Sequence, residues 1–105
     1  MKKLLALAAV VVSGIAAVPA LAASHTVKVA DNKFGPKTLT VKKGTKVRFK
    51  FVGDSMHNVT RVRGPKFKTI SNRDHGTITR TLKRRGTLKI VCTIHPGMDL
   101  KIKVK

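Results

Sequence analysis

From residue 24 onward, apolar and polar positions alternate in short runs divided by Gly, Asp, Asn and Pro. Residues 26–30 place Val27 and Val29 on one face, and residues 38–42 do the same with Leu39 and Val41. Between them, residues 31–36 read as a loop. Residues 46–51 alternate without a break: Val47, Phe49 and Phe51 face one way, Lys46, Arg48 and Lys50 the other. Residues 57–63, 77–82, 87–92 and 100–104 complete the set, with Leu88, Ile90, Cys92, Leu100, Ile102 and Val104 directed inward. Residues 67–74 carry a weaker pattern, read as a short strand and a loop. Period-two alternation at such intervals predicts an all-β antiparallel sandwich or barrel, because successive strand side chains point to opposite faces. One position breaks the scheme. Arg80 shares the parity of Ile78 and Leu82, so its strand is either a solvated edge or carries a bulge.

The first 22 residues follow another rule. Met1-Lys2-Lys3 is basic, residues 4–18 are almost wholly apolar, Pro19 breaks any helix, and Ala20-Leu21-Ala22 ends the run with small residues. This is the pattern of a secretory signal peptide over residues 1–22, cleaved near Ala22/Ala23. An uncleaved anchor is the alternative. The expected location is periplasmic or secreted, with a single domain over residues 23–105. So small a domain gains from a covalent or metal staple. Cys92 is the only cysteine, so no internal disulfide can supply it.

Charge adds a constraint on partners. The chain carries a formal +19, or +17 without Lys2 and Lys3, and it lacks Glu; its acids are Asp31, Asp54, Asp74 and Asp99. Such a surface favours anionic partners: a redox protein with acidic docking surfaces, or an anionic membrane surface. Nucleic acid is disfavoured, since no aromatic stacking platform accompanies the charge. The protein is expected to be a monomer.

The chemistry concentrates near the C-terminus, in Cys92-Thr93-Ile94-His95-Pro96-Gly97-Met98, with His57 upstream. Two imidazoles, one thiolate and one thioether are the donor set of a blue-copper electron-transfer site, so His57, Cys92, His95 and Met98 are the expected ligands of one copper ion. Zinc is the rival ion, but a thioether serves zinc poorly and structural zinc sites gather more thiolates. Because His57 and Cys92 belong to different strands, their union is expected to tie the two sheets together. His25 is a separate candidate: cleavage after Ala22 would leave Ala23-Ser24-His25, an amine and imidazole suited to square-planar Cu(II). His75 receives no role.

These motifs resemble the cupredoxins, in particular the plastocyanin, pseudoazurin and amicyanin branch. Phe34-Gly35-Pro36-Lys37-Thr38-Leu39-Thr40-Val41 with Gly44 is similar to the family's second strand. Met56-His57-Asn58-Val59 is similar to its first-histidine segment, and the Cys-x2-His-x2-Met loop is nearest the amicyanin form. The resemblance implies an all-β, Greek-key antiparallel β-sandwich with a type 1 copper near one end, with His57, Cys92 and His95 equatorial and Met98 axial. It also implies that Asn58 hydrogen-bonds to the cysteine loop and that electrons pass through His95. Lys89, Ile90 and Val91 stand before Cys92, where many relatives carry an aromatic, so a second electron path there is not implied. The basic surface departs from the acidic patches of several members.

The expected function is single-electron transport by Cu(II)/Cu(I) cycling. The alternative is copper storage, delivery or resistance, which the same ligands would serve. Catalysis is not expected, because four protein donors leave no open position for a substrate.

Overall fold

The computed structural model describes residues 23–105; the expected leader, residues 1–22, lies outside the described residues. The described residues form nine strands and no helix. They are β1 (Ser24–Ala30), β2 (Lys33–Gly35), β3 (Thr38–Val41), β4 (Thr45–Phe51), β5 (His57–Arg63), β6 (Ile70–Arg73), β7 (Gly76–Leu82), β8 (Gly86–Val91) and β9 (Asp99–Val104). A four-stranded sheet in the order β2-β1-β4-β7 packs on a five-stranded sheet in the order β3-β9-β8-β5-β6. The segment expected to be a loop at residues 31–36 contains the short strand β2, paired to β1 around a turn in which Asn32 adopts φ 64°.

The sandwich is mixed rather than wholly antiparallel. β1 runs parallel to β4, pairing Val27 with Phe49, and β3 runs parallel to β9, pairing Leu39 with Ile102. Alternation reports which face a residue takes and not which strand lies beside it, so the sequence pattern holds while the pairing sense differs.

The inward positions close over a core in which Val27, Val29, Val47, Phe49, Val59, Ile90 and Ile102 are wholly buried. Each such side chain contributes about 1.5–3 kcal/mol of burial. Phe49 meets Phe67 edge to face, with ring centroids 5.8 Å apart. Arg80 resolves as an edge residue. Its strand β7 closes the four-stranded sheet and pairs with β4 without a register shift. The guanidinium donates to the carbonyls of Lys68, Thr69 and Thr79, covering the segment before β6 with a charge that keeps access to water.

The two ends of the sandwich differ. β1, β4 and β8 run toward one end, where the chain carries Asp31, residues 52–56 and residues 92–98. At the other end Gly44 donates to the carbonyl of Leu82, and Lys43 to that of Lys105.

Candidate metal centre

His57 opens β5, and Cys92 follows the last residue of β8. His95 and Met98 lie on the loop from β8 to β9, a compact turn held by its own backbone: His95 N–H donates to Cys92 O, Met98 N–H to His95 O and Cys92 N–H to Met98 O. Gly97 in that turn has φ +85°, a conformation that side-chain-bearing residues rarely adopt. His57, Cys92 and Met98 are buried, and His95 is half-buried, so one ring reaches toward solvent.

The three strong donors converge. Nδ1 of His57 lies 3.1 Å from Nδ1 of His95, and Sγ of Cys92 lies 3.9 and 3.6 Å from those two nitrogens. Metal–donor lengths of about 2.0 Å to nitrogen and 2.3 Å to sulfur place the donors of one small ion roughly 3–4 Å apart, and these atoms meet that condition. Met98, buried on the same loop, supplies the soft thioether nearby. The donor set is that of a type 1 copper site.

Asp31 explains why the His57 ring faces inward with a lone pair. Its Oδ1 lies 3.0 Å from Nε2 of His57. A carboxylate only accepts, so the ring proton sits on Nε2 and leaves Nδ1 free to ligate. The same carboxylate accepts the backbone N–H groups of Asp54 (2.9 Å to Oδ2) and Ser55 (3.0 Å to Oδ1). The Asp54 N–H, then the His57 ring, then the Ser55 N–H hold the Asp31 carboxyl well below the usual carboxylate range. A Cβ on Gly53 would overlap this carboxylate, so glycine is what lets the loop close on it.

Asp31 also corrects one expectation. His57, Cys92, His95 and Met98 all hang from β5, β8 and β9, which share the five-stranded sheet, so the ligands do not themselves bridge the two sheets. Asp31 does, because it follows β1 in the other sheet. Sequence reasoning passed over it, since an Asp-Asn pair after a strand reads as turn chemistry. The available signal was its rarity, one of four acids in a strongly basic chain.

Asn58 sits between the two ligand segments. Its Oδ1 accepts the Thr93 N–H at 3.1 Å and the Thr60 hydroxyl at 2.8 Å. Its Nδ2 donates to Thr93 Oγ1 at 2.8 Å and to Asn72 Oδ1 at 2.9 Å. Its backbone N–H points at Cys92 Sγ, 3.5 Å away. The side chain thus fastens the residue after Cys92 to β5. Elsewhere, His25 is exposed within β1, beside Val47 in the parallel ladder; to wrap Cu(II) with the terminal amine it would have to leave that ladder. His75 is exposed and pairs with Asp74.

Comparison with known proteins agrees with this geometry. A family model described as a cupredoxin-like domain matches residues 3–104. No curated protein matches the chain. Among solved structures, a copper-containing nitrite reductase from Thermus scotoductus SA-01 is 28% identical with a TM-score of 0.67, over 81% of this chain and 22% of that one. The chain therefore spans about a fifth of that enzyme's length. A methionine-to-glutamine variant of amicyanin in its Cu(I) form is 26% identical with a TM-score of 0.70, over 78% of this chain and 82% of that one. A pseudoazurin from Sinorhizobium meliloti, 23% identical with a TM-score of 0.66 over 78% of this chain and 73% of that one, shares the fold. With a family match across nearly its whole length, the chain belongs to the cupredoxin-like domain family.

Proposed function

We propose that this protein is an exported single-electron carrier, holding one type 1 copper through His57, Cys92, His95 and Met98. Copper, when bound, supplies the one-electron couple. The chain's own residues supply rigidity and access. Asp31 fixes the tautomer and tilt of His57, and Asn58 fastens the loop that carries Cys92 and His95. Donors already 3.1–3.9 Å apart need little rearrangement on changing oxidation state, which favours fast transfer. His95 is the ligand nearest solvent, with exposed Ile94 and Met56 in the neighbouring loops, so electrons would enter and leave at that edge. The net positive charge would draw acidic redox partners toward the protein. The leader-like residues 1–22 support export to the periplasm or beyond.

The observation that carries this reading is the convergence of one thiolate and two imidazole nitrogens beside a buried methionine. Carriage is preferred to catalysis because four protein donors would leave the ion no open position for a substrate. The test is the visible spectrum of the Cu(II)-loaded protein. A strong thiolate-to-copper band, absent in Cys92→Ser, is expected; a colourless loaded protein overturns the reading.

A further inference from the structure

The acidic side chains of this sandwich are sorted by pole. All four carboxylates lie toward the metal end: Asp31 and Asp54 in the loops beside His57, Asp74 in the turn before β7, and Asp99 directly after Met98. At the opposite end the turns carry Lys42, Lys43, Lys66, Lys83, Arg84 and Arg85, all exposed and with no acid among them. Lys43, Lys83, Arg84 and Arg85 line one shallow cleft with Gly64, Pro65, Gly86 and Thr87. Its backbone is braced. Gly44 N–H donates to Leu82 O at 2.7 Å, Lys43 N–H donates to Lys105 O at 2.8 Å, and Pro65 packs so close to Gly86 that a Cβ there would meet its ring at 2.9 Å. Strands of six or seven residues put the two poles about 20 Å apart.

We propose that the basic pole docks on an anionic lipid surface and holds the metal end outward. Two observations select lipid over a folded partner or nucleic acid. A protein interface needs apolar or aromatic anchors at its centre. Of the four exposed large apolar side chains among the described residues, Val52, Met56 and Ile94 sit at the other pole, and Val62 near the end of β5 is the single one close to this pole. Nucleic acid would need a stacking platform, and the chain has no Trp or Tyr. A fluid headgroup layer needs neither, because its charges rearrange around a cluster of cations. At the far end the four carboxylates offset Lys33, Lys37 and Arg73, so the surface attracts the basic pole more strongly, which sets the orientation as well as the affinity.

The test is co-sedimentation with vesicles of phosphatidylcholine and phosphatidylglycerol against vesicles of phosphatidylcholine alone, at two ionic strengths. Binding to the anionic vesicles alone, weakened by salt, is expected. Each basic residue at a membrane surface is worth about five-fold in affinity, so K83Q/R84Q/R85Q should lose roughly 100-fold. K28Q/R48Q/K50Q, which removes equal charge from the outer sheet face, should lose far less. Amide exchange on the vesicles should slow at residues 42–44 and 83–86 and stay unchanged at residues 93–97. Equal losses in the two triple variants, protection at residues 93–97, no vesicle binding, or tighter binding to poly-glutamate or an oligonucleotide than to vesicles would each overturn the proposal. The readout needs no copper, so a colourless protein would sink the electron-carrier reading and leave this one standing.

Discussion

Nε2 of His57 donates a hydrogen bond to Oδ1 of Asp31 across 3.0 Å, and this contact joins the end of β1 in one sheet to the start of β5 in the other. It fixes the imidazole in the tautomer that ligation requires, and it anchors the loop that delivers the imidazole. Such partners of a ligating histidine carry 10- to 100-fold, roughly, of metal affinity. Asp31→Ala should therefore weaken Cu(II) binding on the order of 10- to 100-fold, measured by competition with a chelator of known affinity. Asp31→Asn, which still offers an acceptor to Nε2–H, should recover part of the loss. Equal affinities in all three proteins would show that the ring is held by its packing alone.

The same carboxylate makes the metal-free protein acid-sensitive. Its folded pKa is depressed, first by the Asp54 N–H, then by the His57 ring and the Ser55 N–H. A carboxyl that ionises more readily in the folded state contributes stability above its unfolded pKa of about 3.9, and that contribution is lost as the pH falls from there toward the folded value. The gap in urea midpoint between the metal-free protein and Asp31→Asn should shrink below about pH 4. A gap that widens with acid would reverse the assignment.

What the sequence made legible, and what it hid, follows from the range of the forces involved. The β4 run Val47-Arg48-Phe49-Lys50-Phe51 declares its two faces, and the structure buries every apolar member of it. β9 does the same with Leu100, Ile102 and Val104. The Cys92–Met98 loop was legible because its donors are neighbours in the chain. Asp31 and His57 are 26 residues apart, and nothing local in either segment announces the other. The parallel pairing of β1 with β4 was hidden for the same reason. β6 was faint because it is an edge strand with one buried residue, Ile70, in four.

Gly53 is where the backbone must yield to the Asp31 carboxylate. Gly53→Ala would drive a methyl group into that carboxylate, which three donors already hold in place. Overpacking of this kind costs about 1–3 kcal/mol. The control is Gly35→Ala, where a Cβ meets nothing within 4 Å and the change should stay within about 0.5 kcal/mol. Urea denaturation of the metal-free proteins checks both. A neutral Gly53→Ala would mean that the loop can move aside without losing its hold on Asp31.

Phe49 tests the core and its coupling to the metal together. It is fully buried and meets Phe67 edge to face. Phe49→Ala should cost about 3–5 kcal/mol, a large share of what so small a domain possesses. The metal-free variant should be partly unfolded at ambient temperature. Saturating copper should raise its melting temperature, since a ligand that binds only the folded chain stabilises it by mass action. Copper that leaves the melting temperature unmoved would indicate a site that survives unfolding, contrary to donors gathered from two strands and a loop.

Asn58 separates the strength of the loop's attachment from the hydrogen bond made to sulfur. Its side chain makes four hydrogen bonds, two of them to Thr93, while its backbone N–H alone addresses Cys92 Sγ. Asn58→Ala removes the former and keeps the latter. Releasing the Thr93 N–H and the Asn72 and Thr60 partners should cost about 1–3 kcal/mol, much of it regained where water reaches them. The thiolate-to-copper band should persist, because the sulfur keeps its N–H donor, while copper dissociates faster as the Cys92–Met98 loop opens more often. Stopped-flow removal of copper by a chelator measures that rate. Loss of the band with an unchanged urea midpoint would instead place the role of Asn58 at the sulfur itself.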